Sequence, residues 1–188
     1  MGRKIVFLGS DGSGKSTLIR HICKKLEEDG KGTDIFFMGW KNFYNPVLRA
    51  YSRRKKKGKE GEKLSRYRER SWFFYFVYYS EMWLRYIWIL LSGRDYLLID
   101  RYFYDELAFA RGFKFSFFNF FTPKPDVCFV LKTSASTLKK RKVNVSKKNL
   151  DNFYNGLKKM KRYCKITEID SSEKVEETFK RILDTKLL

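Results

Sequence analysis

At 188 residues and 43% hydrophobic, the chain is long enough to bury a sizeable core as one domain, and too apolar to be disordered. Its formal charge of +20 predicts attraction to anions, whether nucleotides, nucleic acid or acidic membrane surfaces, without choosing among them. Three widely spaced cysteines, Cys23, Cys128 and Cys164, lie in apolar patterns. They argue against a disulfide frame or a metal site and predict reduced core thiols in the cytoplasm.

Lys4 to Leu8 is a short, partly β-branched apolar run and predicts a buried first strand. With a core strand at this position, no signal peptide is expected. Directly after it stands Gly9-Ser10-Asp11-Gly12-Ser13-Gly14-Lys15-Ser16-Thr17, which fits the phosphate-binding pattern G-x-x-x-x-G-K-[ST] at every fixed position. A loop that wraps a polyphosphate turns its N–H groups inward, and glycines permit the close approach. Lys15 can reach the β- and γ-phosphates, and the Ser16 hydroxyl can ligate Mg²⁺. Leu18, Ile19, Ile22, Cys23 and Leu26 then form a helical stripe, closed by Gly30. Strand, glycine loop and helix are the setting nucleotide binding requires; the alternative is a Gly/Ser-rich turn. His21, the only histidine, is expected on the helix surface.

Asp34 to Met38 predicts a second strand, and Gly39 to Tyr51 a loop with a short helix. Residues 52–70 are strongly basic, broken by Gly58 and Gly61, and read as a solvated or disordered loop rather than a dedicated binding arm. From Trp72 to Leu91 the chain is aromatic and apolar, long enough to raise the question of a membrane span. Glu81 and Arg85 argue against one. At spacing i,i+4 they can pair on one helix face, and the tyrosine hydroxyls would go unsatisfied in lipid. A long core helix is predicted, with no transmembrane span.

Asp95 to Ile99 predicts a strand ending at Asp100-Arg101-Tyr102. A carboxylate there can hold the water shell of Mg²⁺ or orient an acceptor, and Arg101 supplies a planar fork suited to phosphate. A plain strand-end ion pair is the alternative. Gly112 to Asp126 reads as a Phe-rich loop: an interface, a lid against the core, or a membrane-touching segment. Val127 to Leu131 is the next strand, residues 132–150 a basic region able to close over phosphates, and Asn149 to Tyr163 a helix. Cys164 to Ile169 is the last strand, and Glu173 to Leu187 an amphipathic helix capped by Ser171 or Ser172. Apolar strands alternating with helices predict one α/β domain over 1–188 with a buried parallel sheet. Ligands then collect at the strand ends that carry the phosphate loop, Asp100-Arg101 and Asp170-Ser171-Ser172.

At these residues the chain resembles thymidylate kinases. Phe7 to Thr17 is similar to their first motif, and Gly93 followed by Asp100-Arg101-Tyr102 to their second. Pro125-Asp126, then Leu138 and Arg141, is similar to the approach to their lid, and Asp170-Ser171-Ser172 to their adenine-contacting loop. The resemblance implies the P-loop kinase fold of nucleoside monophosphate kinases, with a five-stranded parallel sheet and a basic lid. It implies a Mg-ATP donor, transfer to a monophosphate such as thymidylate, and a homodimer. Lys15 and Ser16 then serve the donor phosphates and metal, with Gly9 to Thr17, Asp170 and Ser171 around ATP. Asp100 assists Mg²⁺ or the acceptor, Asp11 and Arg101 face the acceptor, and Phe74 or Phe76 stacks on its base. Gly12 stands where some members carry a catalytic arginine, so the lid supplies that charge through Arg141.

The acceptor half departs from the family. Met38-Gly39-Trp40-Lys41-Asn42 replaces an Arg-Glu-Pro-Gly-Gly type segment, and no arginine follows Phe74 or Phe76 before Arg85. Phe109 stands where a tyrosine is usual, and Asp105 and Glu106 add negative charge that Lys41 or Arg85 would have to offset. Two alternatives therefore stand. One is a P-loop kinase of another nucleotide, a sugar or a lipid-linked acceptor. The other is a nucleic-acid- or membrane-associated ATP-binding protein, with weak, sequence-blind nucleic-acid binding expected.

Overall fold

The computed structural model describes residues 2–39, 43–50, 71–141, 143, 145–185 and 187. The basic segment 52–70 and Lys41 lie outside the described residues, so the readings placed on them stand as sequence expectations. Five strands form one sheet: β1 (Arg3–Gly9), β2 (Thr33–Phe37), β3 (Tyr96–Asp100), β4 (Val127–Lys132) and β5 (Ile166–Asp170). Their order is β2-β3-β1-β4-β5 and every pairing is parallel. The chain leaves β1 toward one edge and later fills the other, which makes the carboxyl end of β1 the switch point where open parallel sheets bind ligands. The register sets the neighbours there: Phe7 lies opposite Asp100, Gly9 opposite Leu131, and Lys132 opposite Asp170.

Alternation along β1 divides the core between two layers. Ile5 and Phe7 face α1 (Lys15–Glu28) and the final helix, packing with Leu18, Ile19, Ile22, Phe129 and Ile182. Val6 and Leu8 face the opposite layer, with Leu97, Ile99, Cys128 and Val130. That layer holds α2 (Trp72–Leu91), α3 (Tyr104–Leu107), α4 (Gly112–Phe120), α5 (Ala135–Lys140) and α6 (Lys147–Lys158), while α7 (Val175–Asp184) returns to the first. Each large apolar side chain buried this way contributes about 1.5–3 kcal/mol.

Ser71 starts α2, its hydroxyl accepting from the Phe74 amide at 3.3 Å. Tyr75, Tyr78, Tyr79, Met82, Tyr86 and Ile89 recur at helical spacing and are buried. Tyr75 donates to the Glu106 carbonyl at 3.1 Å, and Tyr79 shares a hydrogen bond with Thr122 at 2.8 Å. The expected Glu81–Arg85 pair forms at 2.8 Å and is buried. The helix is only half a core helix, however. Phe73, Phe76, Leu84, Ile87, Trp88 and Leu91 are exposed along the other side. No helix among the described residues is long and apolar enough to cross a membrane.

Three local expectations need correction. The Phe-rich stretch begins as a helix, α4, because Phe115 and Phe118 are spaced to bury on one side. The last helix starts at Val175 with Lys174 as its cap, not a serine. Ser171 and Ser172 are engaged elsewhere: Ser171 shares a hydrogen bond with Thr133 at 2.6 Å, and Ser172 Oγ accepts from the Ser134 amide at 3.2 Å. Of the cysteines only Cys128 is fully buried; Cys23 and Cys164 are half-buried, and all three are free thiols. His21 is exposed, as expected, with its ring edge-on to Phe179.

Candidate active site

The turn from β1 into α1 requires left-handed backbone at Gly12 (φ 78°) and Gly14 (φ 87°), which side chains resist. Gly14 is the N-cap of α1, so the free N–H groups of the first turn open onto the loop. Lys15 folds back across it. Its Nζ donates to the carbonyls of Gly9 (2.9 Å) and Ser10 (2.7 Å) and to Ser13 Oγ (3.3 Å). Burial, and next the charge of Arg101, lowers the Lys15 pKa to about 8, against a partial rise from Asp100, Asp105 and Asp11. A cation held this way in a dry loop gains most when phosphate arrives.

Parallel pairing of β1 with β3 brings Asp100 beside the loop. Ser16 Oγ donates to Asp100 Oδ2 at 2.7 Å. Asp100 Oδ1 is buried without a hydrogen-bond partner among the described residues. These two side chains, expected to share Mg²⁺, stand together with acceptor oxygen to spare, which fits a hard cation completed by phosphate and water. They would supply one hydroxyl and one carboxylate; the ion itself would neutralise charge on the phosphates.

Arg101 takes a positive φ of 72°, rare for a residue with a side chain, and its amide bonds the Phe7 carbonyl at 3.0 Å. Its guanidinium is gripped by Asp105 and by Asp11 of the phosphate loop. Burial alone would lower its pKa, but the carboxylates of Asp105, Asp11 and Asp100 outweigh that and raise it. Asp11, Gly12, Gly14, Lys15, Ser16, Thr17, Phe37, Asp100 and Arg101 line a cavity of about 280 Å³. A second cleft of about 580 Å³ opens on the far side of the loop, between Gly12, Gly14 and residues Ser172 to Glu176, with Thr137, Lys140 and Arg141.

The structure thus brings together Gly9 to Thr17, Asp100 and Arg101. Other expected site residues sit differently. Arg141 donates to the carbonyls of Gly12 (3.0 Å), Ser171 (3.3 Å) and Glu173 (3.0 Å), so it clips the phosphate loop to the 171–173 loop instead of reaching into the phosphate cavity. The Ser171 hydroxyl is buried against Thr133, and Asp170 accepts from the Ser172 amide at 2.9 Å. The second cleft is therefore lined from Ser172 onward, not by Asp170 and Ser171 side chains. Phe109 is a core residue stacked on Phe153, with ring centroids 6.0 Å apart. Phe76 packs outward against Phe117 and Phe118 of α4. Phe74 is half-buried and stacked on Tyr78 at 6.0 Å.

Sequence reasoning passed over Tyr78 and Phe37. Tyr78 is fully buried, and its pKa is raised first by burial and then by the charges of Glu106 and Asp105, which puts it near the Arg101 cluster. Phe37 closes β2 and lines the cavity. Its signal was available, since a strand end in a parallel sheet is where ligands collect.

The sequence matches the thymidylate kinase family over residues 7–182. The chain belongs to that family, and it is a kinase. No curated protein matches it in sequence. Among solved structures it is similar to a thymidylate kinase from Candida albicans described as having broad substrate specificity: 15% identity, 98% of this chain and 90% of that one, TM-score 0.62. It is similar to a thymidylate kinase from Ehrlichia chaffeensis at 15% identity, with 99% and 100% of the chains covered and a TM-score of 0.61. It is also similar to a deoxyadenosine kinase from M. mycoides solved with dATP, at 15% identity, 97% and 98% coverage and a TM-score of 0.62. These likenesses establish the P-loop kinase fold of this family member.

Proposed function

We propose that this kinase transfers the γ-phosphoryl group of Mg-ATP to a nucleoside monophosphate, thymidylate foremost, with poor specificity for it. The observation that carries the reading is the Ser16–Asp100 pair set beside buried Lys15, with Arg101 on the same cavity. ATP would lie with its phosphates in the loop and its base in the cleft near Ser172 to Glu176. Lys15 and the helix N-terminus would bind the donor phosphates, and Asp100 and Ser16 would hold Mg²⁺. Arg101 and Asp11 would orient the acceptor, with Phe74 or Phe37 against its base. Stacking on a flat base reads no hydrogen bonds, so discrimination between bases should be only ~10–200-fold.

A second reading replaces the monophosphate with an uncharged hydroxyl acceptor such as a nucleoside. Asp105 favours it, because it already occupies Arg101 and would have to yield to an anionic substrate. The deciding experiment measures kcat/KM for thymidylate, uridylate, cytidylate, thymidine and a sugar monophosphate with ATP under one condition. Turnover of thymidylate within about 200-fold of the other nucleotides supports the first reading. Turnover of thymidine alone supports the second, and no ATP-dependent product from any of them refutes both.

The proposal extends to assembly and location. Leu84, Ile87, Trp88 and Leu91 form an exposed stripe at helical spacing, suited to pairing α2 with its copy in a homodimer. Free thiols and a need for ATP suit the cytoplasm. Nucleic acid would bind only weakly, through charge.

A further inference from the structure

Glu81 and Arg85 are buried, 0% and 8% exposed, on a helix whose other core-facing positions are mostly tyrosine and aliphatic. Burying an ion pair is costly unless further hydrogen bonds satisfy both groups. Here those bonds go to a particular place. The Glu81 carboxylate accepts the amides of Tyr44 (3.0 Å) and Asn45 (2.7 Å) while holding Arg85 Nε at 2.8 Å. Arg85 Nη1 donates to the carbonyls of Phe37 (3.3 Å) and Gly39 (3.1 Å), and its guanidinium lies 5.2 Å from the centre of the Phe43 ring. The pair thus grips the chain leaving β2 on both sides of residues 40–42.

That chain is a wall of the cavity. Phe37 lines it, and the Met38 amide bonds the Asp100 carbonyl at 3.0 Å. Gly39 packs so closely that an added Cβ would fall 2.6 Å from Arg101 Cδ and 2.3 Å from Phe37 Cζ. The Gly39 carbonyl is thus held by Arg85 while its α-carbon abuts the stem of Arg101. We infer that Glu81 and Arg85 are positioning residues for the acceptor: a brace on α2 that sets Phe37 and Gly39 against Arg101 and fixes the approach through Tyr44 and Asn45. The inference rests on the acceptor entering at Arg101, as proposed above. It also replaces the expectation that Arg85 would offset acidic charge. Its guanidinium serves Glu81 and two backbone carbonyls, a task that needs the planar fork and that lysine cannot copy.

The test uses full-length Glu81→Gln and Arg85→Lys, which keep size and burial, with Arg85→Ala as the harsher variant. The expected result is a rise of tenfold or more in KM for thymidylate, with the ATP dissociation constant by calorimetry within twofold of wild type. The double variant should be no worse than the weaker single one, because the two side chains act as a unit. Hydrogen exchange at the Tyr44 and Asn45 amides should quicken at least tenfold while β1 and β4 amides keep their protection. The Arg101 Nε–Hε NMR resonance should move in both conservative variants. If thymidylate is not a substrate of the wild type, the functional reading fails by that result alone, and exchange and the Arg101 resonance decide the brace. Unchanged exchange with an unmoved Arg101 signal overturns the inference. So does an ATP dissociation constant that rises as much as the acceptor KM, which would mark a general loss of structure.

Discussion

Lys15 should take up a proton when ATP binds. Free of nucleotide, its ammonium group is buried against two carbonyls and beside Arg101, and its pKa falls to about 8. Phosphate oxygens in the loop would restore an opposite charge and return the pKa toward the ordinary lysine value. With a pKa of about 8 the neutral fraction is ~0.1 at pH 7, ~0.5 at pH 8 and ~0.9 at pH 9, so proton uptake on binding follows the same series. ATP affinity should accordingly weaken about fivefold between pH 8 and pH 9. The stability of the nucleotide-free protein should run the other way. The depressed pKa costs stability in full below about pH 8. That cost is relieved as pH rises from about 8 toward 10.5, because the unfolded chain then holds more protons than the folded one. Calorimetry of Mg-ATP binding in buffers of different ionisation enthalpy measures the uptake directly. An enthalpy independent of buffer at pH 8, with affinity flat from pH 7 to pH 9, would refute the argument and mean that Lys15 stays charged in the free protein.

Asp100→Asn should lower kcat about 10²–10³-fold with less than a tenfold change in ATP affinity, read by steady-state kinetics and calorimetry, because its charge matters most as the phosphoryl group moves. Arg141→Ala removes the clip on the Gly12, Ser171 and Glu173 carbonyls and should raise KM for ATP about tenfold, with a smaller effect on the acceptor. Tyr75→Phe strips a buried hydroxyl from the Glu106 carbonyl and should cost about 1 kcal/mol of stability by urea titration, leaving ATP affinity intact. Leu84→Lys with Trp88→Glu should convert a dimer to a monomer in size-exclusion chromatography with light scattering; a wild type that is already monomeric removes the proposed seam.

The phosphate loop was legible in the sequence because its determinants are local. Nine consecutive residues carry their own backbone geometry, and glycines at the left-handed positions impose it wherever the chain goes. The alternation of apolar strands and helices was legible for the same reason, since period and burial are written along each segment. What the sequence could not decide was where side chains spend their hydrogen bonds. Arg141 and Ser171 each looked available to a ligand, yet each is consumed by backbone groups or a side chain distant in sequence. Phe109 and Phe76 were both expected on the acceptor side, and packing sent one into the core against Phe153 and the other outward to α4. Asp105 read as a liability beside the phosphate pocket, and only the turn after β3 revealed it as a partner of Arg101. A helix period states which face is apolar, but not which neighbour will cover it. That depends on parallel register and crossing elements, and these set what surrounds Arg101 and Phe37.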